Sequence, residues 1–140
     1  MGRILAIDYG TKRTGLAVTD PLKIVANVLT TVPTKELLDY LQNYLNKEDV
    51  DEIVVGMPKD LFNKDSHSTQ AVKRFVSELK AKFAAYPIHL HDERFTSKMA
   101  MDAMIRSGST KKDRRKKENI DKLSATIILQ SFMEAQSFKR

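Results

Sequence analysis

Cysteine is absent from the 140 residues, which rules out disulfides and thiolate metal sites, so a metal here has to be held by oxygen or imidazole. Glycine and proline are scarce, five and four, and no stretch is rich enough in either to read as a linker dividing the chain. Long apolar runs are missing too. The longest are about five residues, against the ~20 that span a bilayer, so no membrane role is expected. The opening residues also lack the apolar run and small-residue cleavage site of a secretory signal, and the expectation is a cytoplasmic protein.

What is present suits a single domain, 1–140. Apolar residues make up 41%, enough for a core, and charged residues 30%. Lys plus Arg is 24 and Asp plus Glu 18, a net +6. Residues 106–117 (RSGSTKKDRRKK) hold seven bases and one acid, leaving 17 bases against 17 acids elsewhere. All the excess charge thus sits in one short segment containing Gly and Ser. Lys111, Lys112, Arg114 and Arg115 there form an arm suited to a polyanion, although a solvated loop has the same composition.

The chain is organised around residues 3–20, RILAIDYGTKRTGLAVTD. Two apolar runs, 3–8 and 14–19, read as strands joined by the turn Tyr9-Gly10-Thr11-Lys12-Arg13. A third strand is expected over 25–32, before Pro33. Thr34 is a good N-cap for a helix carrying Leu37, Leu38, Leu41 and Leu45 at helical spacing. The β-branched run 52–57 reads as a buried strand closed by Pro58. A second helix follows from about 68 to 84, with Val72, Phe75, Val76 and Leu79 on one face. A fifth strand covers 87–91, and a third helix starts at Thr96 or Ser97 and stops at Gly108. Asn119 is the expected cap of a last helix reaching about 136, with Leu123, Ile127, Ile128 and Phe132 inward. The order βββαβαβαα predicts an α/β domain with a mixed sheet covered by helices.

Three acids stand out. Asp8 ends the apolar strand just before Gly10, where a carboxylate would be poorly hydrated unless it held a cation or accepted hydrogen bonds. Glu93 follows the fifth strand, and sites in open α/β sheets form beyond strand ends. Asp121 lies in the first turn of the last helix, directly after the basic arm; the helix dipole alone would also suit an acid there. Together they make an oxygen donor set for a hard divalent ion, Mg²⁺ or Mn²⁺. Lys12 and Arg13 are placed to contact phosphate, and the Gly10–Gly15 turn lets backbone approach closely. His89 and His91 share one face of a strand ending near solvent and need no catalytic role. Asp20 is expected to hydrogen-bond a turn.

The segments D-Y-G-T-K-R-T-G-L-A-V-T-D at 8–20, V-V-G-M-P at 54–58, D-E-R-F-T-S at 92–97 and I-D-K-L-S-A-T-I-I-L-Q at 120–130 together resemble the YqgF/RuvX family. These are small bacterial proteins of RNase H-like fold, described as Holliday-junction resolvases and as pre-16S rRNA nucleases. The resemblance spans almost the whole chain. It implies a five-stranded sheet of order 3-2-1-4-5, with Asp8 on the central strand. It implies an acidic triad of Asp8, Glu93 and Asp121, flanked by the basic positions Lys12, Arg13 and Arg94. Two positions depart from the family pattern: Asn63 stands in a loop that usually carries glycine, and Ser124 where a small apolar residue is usual.

The function implied is a metal-dependent endonuclease, first for processing the 5′ end of pre-16S rRNA, second for resolving branched DNA. The latter calls for a homodimer; the former is compatible with a monomer. A non-catalytic nucleic-acid-binding module is disfavoured because carboxylates without metal repel phosphate. A sugar-kinase-like or actin-like ATPase, suggested by D-x-G-T after a strand, would need a second such domain.

Overall fold

The apolar run Ile4-Leu5-Ala6-Ile7 forms the middle of β1 (Arg3–Asp8), the central strand of the sheet, and all four residues are buried. It is continuously apolar because both faces are covered: Leu5 and Ile7 enter one core cluster, Ile4 and Ala6 another. The computed structural model describes the backbone of residues 2–57, 67–92 and 117–138, and their side chains other than those of 57, 67–69, 92, 117–124 and 137–138.

Around β1 the remaining strands are β2 (Arg13–Thr19), β3 (Ala26–Pro33), β4 (Val50–Met57) and β5 (Ile88–Asp92), in the spatial order β3-β2-β1-β4-β5. β1–β2 and β2–β3 are antiparallel, and β1–β4 and β4–β5 parallel. This is the mixed sheet and the strand order expected.

Helix α1 (Leu37–Lys47) connects β3 to β4, and α2 (His67–Lys82) lies between β4 and β5. Leu37, Leu41 and Leu45, one turn apart, are buried along α1, and Val72, Phe75, Val76 and Leu79 along α2. Both stripes pack on the Leu5/Ile7 side, with Leu16, Ile53 and Val55. The opposite face is covered by α3 (Lys117–Phe138), where Ala125, Ile128, Leu129 and Phe132 meet Ile4, Ala6, Ala17 and Val54. Alanines on both sides of that contact let helix and sheet approach closely.

Two helix starts differ from expectation. Thr34 does not cap α1: a 3₁₀ turn, Thr34–Glu36, comes first, and neither start carries a side-chain cap bond. Its hydroxyl instead donates to the Gly10 carbonyl, 24 residues away in sequence. Asn119 lies inside α3, which begins at Lys117. The expected helix over 96–108 and the basic arm fall outside the described residues, apart from Lys117 at the start of α3.

Candidate active site at the carboxyl edge of the sheet

Asp8 is the last residue of β1 and is half-buried, paired in register with Gly15 of β2. Side chains alternate along a strand, so Asp8 shares the α3 face with Ile4 and Ala6. Ile7 pairs with Val55, and Val55 with Leu90, so one step further Asp8, Gly56 and His91 stand level across three parallel strands. Gly56 brings no side chain to that row. β4 separates β1 from β5, which sets the ends of those two strands about 10 Å apart.

The β1–β2 turn is held by one threonine network. The Thr34 hydroxyl donates to the Gly10 carbonyl at 2.5 Å, so in its 2.9 Å contact with Thr14 the Thr14 hydroxyl is the donor. The Gly10 N–H in turn points to the Thr14 oxygen at 3.5 Å, closing a ring of three hydrogen bonds around Gly10. The Thr34 N–H also donates to the Lys12 carbonyl at 3.0 Å. A Cβ on Gly10 would collide with the Arg13 carbonyl oxygen, so the turn requires glycine. Lys12 and Arg13 therefore stand on a braced backbone in the turn that follows Asp8. Nothing local in the sequence signals this bracing, because Thr34 is 24 residues from Gly10.

Both histidines of β5 face α3. His89 Nε2 lies 2.9 Å from Glu52 Oε1 and its ring packs 5.1 Å from the Phe132 centroid. His91 Nε2 lies 2.8 Å from Ser131 Oγ. These contacts fasten the edge strand to β4 and α3 at the end where the site lies. Asp20 is a turn residue, as expected. Its carboxylate accepts from the N–H groups of Leu22, Ile24 and Val25, which hold its pKa below the usual carboxylate value, Val25 contributing most.

Of the expected acids, Asp8 is seen in full. Asp121 lies in α3 one turn before Ala125, its side chain outside the described set, and Glu93 and Arg94 fall outside the described residues, as do Lys111, Lys112, Arg114 and Arg115. Among the described residues no three His, Asp or Glu side chains come together to hold a metal ion. No helix among them is long and apolar enough to cross a membrane.

Comparison with known proteins bears on this edge. A family model described as "RuvX: Holliday junction resolvase" matches residues 2–135. A protein of Amoebophilus asiaticus named "Putative pre-16S rRNA nuclease" is 53% identical over 140 residues, covering 100% of this chain and 98% of its own length. One of Phocaeicola vulgatus with the same name is 51% identical over 138 residues, covering 99% of each chain. Among solved structures, T. thermophilus RuvC in complex with a Holliday junction substrate aligns with a TM-score of 0.59 over 99% of this chain and 97% of that one, at 16% identity. At that identity the likeness is one of fold. The match over nearly the full length, with relatives above half identical, makes this chain a member of the RuvX family.

Proposed function

We propose that this protein is a metal-dependent endonuclease that processes the precursor of 16S rRNA in the cytoplasm. The observation that carries the reading is Asp8, a half-buried carboxylate ending the central strand beside a braced, cation-bearing turn, in a chain whose near-full-length relatives carry the rRNA nuclease name.

The donor chemistry at Asp8 fits a hard divalent cation: oxygen ligands, no thiolate in the chain, and a row beside it that Gly56 leaves without a side chain. Asp8, Glu93 and Asp121 would hold Mg²⁺, with Mn²⁺ as a substitute. One ion, or a pair, bound there would supply Lewis acidity toward the phosphodiester and toward the attacking water. The rest is the work of this chain's own groups. Lys12 and Arg13 bind the phosphates flanking the scissile one, Arg13 through its forked donors. The ring around Gly10 keeps that turn from rearranging when substrate arrives. Arg94, beside Glu93, offsets the negative charge that three acids present to a polyanion. Lys111, Lys112, Arg114 and Arg115 bind backbone further along the strand, which gives affinity without sequence preference.

Resolution of branched DNA is the second reading, favoured by the family description and by the RuvC-like fold, and it calls for a dimer. The test is cleavage of a precursor small-subunit rRNA fragment and of a synthetic four-way DNA junction, each with Mg²⁺, Mn²⁺ or EDTA. Wild type is expected to cut the RNA only with metal, and Asp8→Asn to lose at least a hundredfold in rate while keeping its fold. Cutting of the junction alone would replace the first reading by the second, and full activity in Asp8→Asn would remove the triad.

A further inference from the structure

Behind the candidate active edge, on the opposite face of the sheet, a cleft of about 310 Å³ opens between the start of α1 and the side of α2. The half-buried Tyr9 ring forms its ledge, backed by the buried Phe75, on which it stacks at 4.7 Å between centroids and 22° between planes. Thr34 and Leu38 line the α1 side; Arg74 and Glu78, one helical turn apart on α2, line the other, and both are exposed. The cleft therefore combines an aromatic platform, a cation, a carboxylate acceptor and an apolar wall. Its volume is at the small end of the range for pockets that take one compact ligand.

Its position carries the inference. Tyr9 follows Asp8 directly, so the alternation of the strand sends the carboxylate toward α3 and the ring toward α1 and α2. The braced turn at Gly10 lies between the two, and Thr34 belongs both to that bracing and to the wall of the cleft. A nucleic-acid strand crossing the turn with one phosphate at Asp8 would carry a neighbouring nucleotide over the edge.

We propose that this cleft is a nucleobase subsite that takes one unpaired base of the substrate strand next to the cleaved phosphate. The inference rests on the nuclease reading for its substrate. A base is flat and stacks on an aromatic ledge whatever its identity. Arg74 pairs with the adjoining phosphate or packs over the base, and Glu78 accepts from an exocyclic amino group or a ribose hydroxyl. The subsite selects for single-stranded sequence at that position, because a base held in a duplex cannot turn into the cleft. A fully paired strand would then be bound through its backbone but cut poorly.

The experiment uses the full chain with Ca²⁺ in place of Mg²⁺, so that the acids hold a cation while binding is read apart from cleavage. A short hairpin RNA with a single-stranded arm, whose duplex fixes the register in which the arm is bound, carries 2-aminopurine at one position per molecule, the position moved along the arm. Stacking quenches its fluorescence, so one position, or two adjacent ones, should be quenched well beyond the rest. Arg74→Ala and Ala71→Phe, the second filling the cleft from its half-buried wall, should each weaken binding by roughly tenfold and relieve that quench. Circular dichroism melts check that both variants fold. Uniform quenching along the strand, or folded variants that bind as wild type does, would overturn the subsite. The same oligonucleotides with Mg²⁺ separate the two readings. Position-specific quenching without any cleavage keeps the cleft and removes the nuclease assignment, while cleavage without it overturns the cleft alone.

Discussion

Gly10 and Asp20 show how single residues at the two ends of the β1–β2 unit are fixed by backbone demands. Gly10 has no room for a methyl group against the Arg13 carbonyl, and its own N–H and carbonyl are both in the threonine ring. Gly10→Ala is therefore expected to destabilise the fold by about 1–3 kcal/mol, read from denaturant midpoints, and to reduce cleavage further by displacing Lys12 and Arg13. Asp20 organises the following turn, in which Lys23 adopts φ 60° and its ammonium reaches Asp51 at 2.8 Å. Backbone N–H groups, that of Val25 foremost, depress the pKa of Asp20; the Lys23 ammonium, then the Gly2 N–H, depress that of Asp51. A carboxyl group whose folded pKa is lowered stabilises the fold above its unfolded pKa and stops doing so as pH falls through the folded value. Wild type should thus lose stability below about pH 4, and Asp20→Asn should flatten that loss. Thermal melts between neutral pH and pH 3 decide it: parallel curves for the two proteins would mean that Asp20 contributes no proton linkage.

Thr34 carries the corresponding argument for whole elements, since it joins the β1–β2 turn to the start of α1. Thr34→Val keeps the shape but removes the donor to Gly10 and the acceptor for Thr14, whose hydroxyl is fully buried. The expected cost is about 1–3 kcal/mol, with a lower cleavage rate, while Thr34→Ser should retain most of both. Equal stability of Thr34→Val and wild type would show the ring to be replaceable by water. The strands and the buried faces of α1 and α2 follow from local apolar runs and the 3.6-residue period, and those were readable. A threonine before a helix reads locally as a cap, and only the fold reveals that its partners are Gly10 and Thr14. The same holds for His89 with Glu52, His91 with Ser131, and Tyr9 with Phe75, all pairs separated by more than thirty residues. The place of Asp8 at the end of β1 was legible because the apolar run stops there. The strand order came from family resemblance, not from any pattern along the chain.

At the scale of the whole molecule, charge and architecture divide the labour. The chain outside residues 106–117 is neutral, and under the proposed function it contains the acids that a polyanion must approach. Long-range attraction therefore has to come from the basic segment, whose seven bases lie just ahead of Asp121 in sequence. Replacing Lys111, Lys112, Arg114 and Arg115 by Gln removes four of the possible phosphate contacts. For a polyelectrolyte ligand each contact contributes roughly 0.7–0.9 to the slope of log K against log salt, so the slope should fall by about 3. Affinity at low salt should drop steeply and affinity at high salt much less, because counterion release is already weak there. The cleavage rate at saturating RNA should change little, since the acids and the braced turn are untouched. Binding titrations across a salt series separate the alternatives: an unchanged slope would reduce the segment to a solvated loop and shift the burden of attraction to Lys12 and Arg13. A reduced slope with retained saturating rate would assign attraction to the arm and chemistry to the sheet edge.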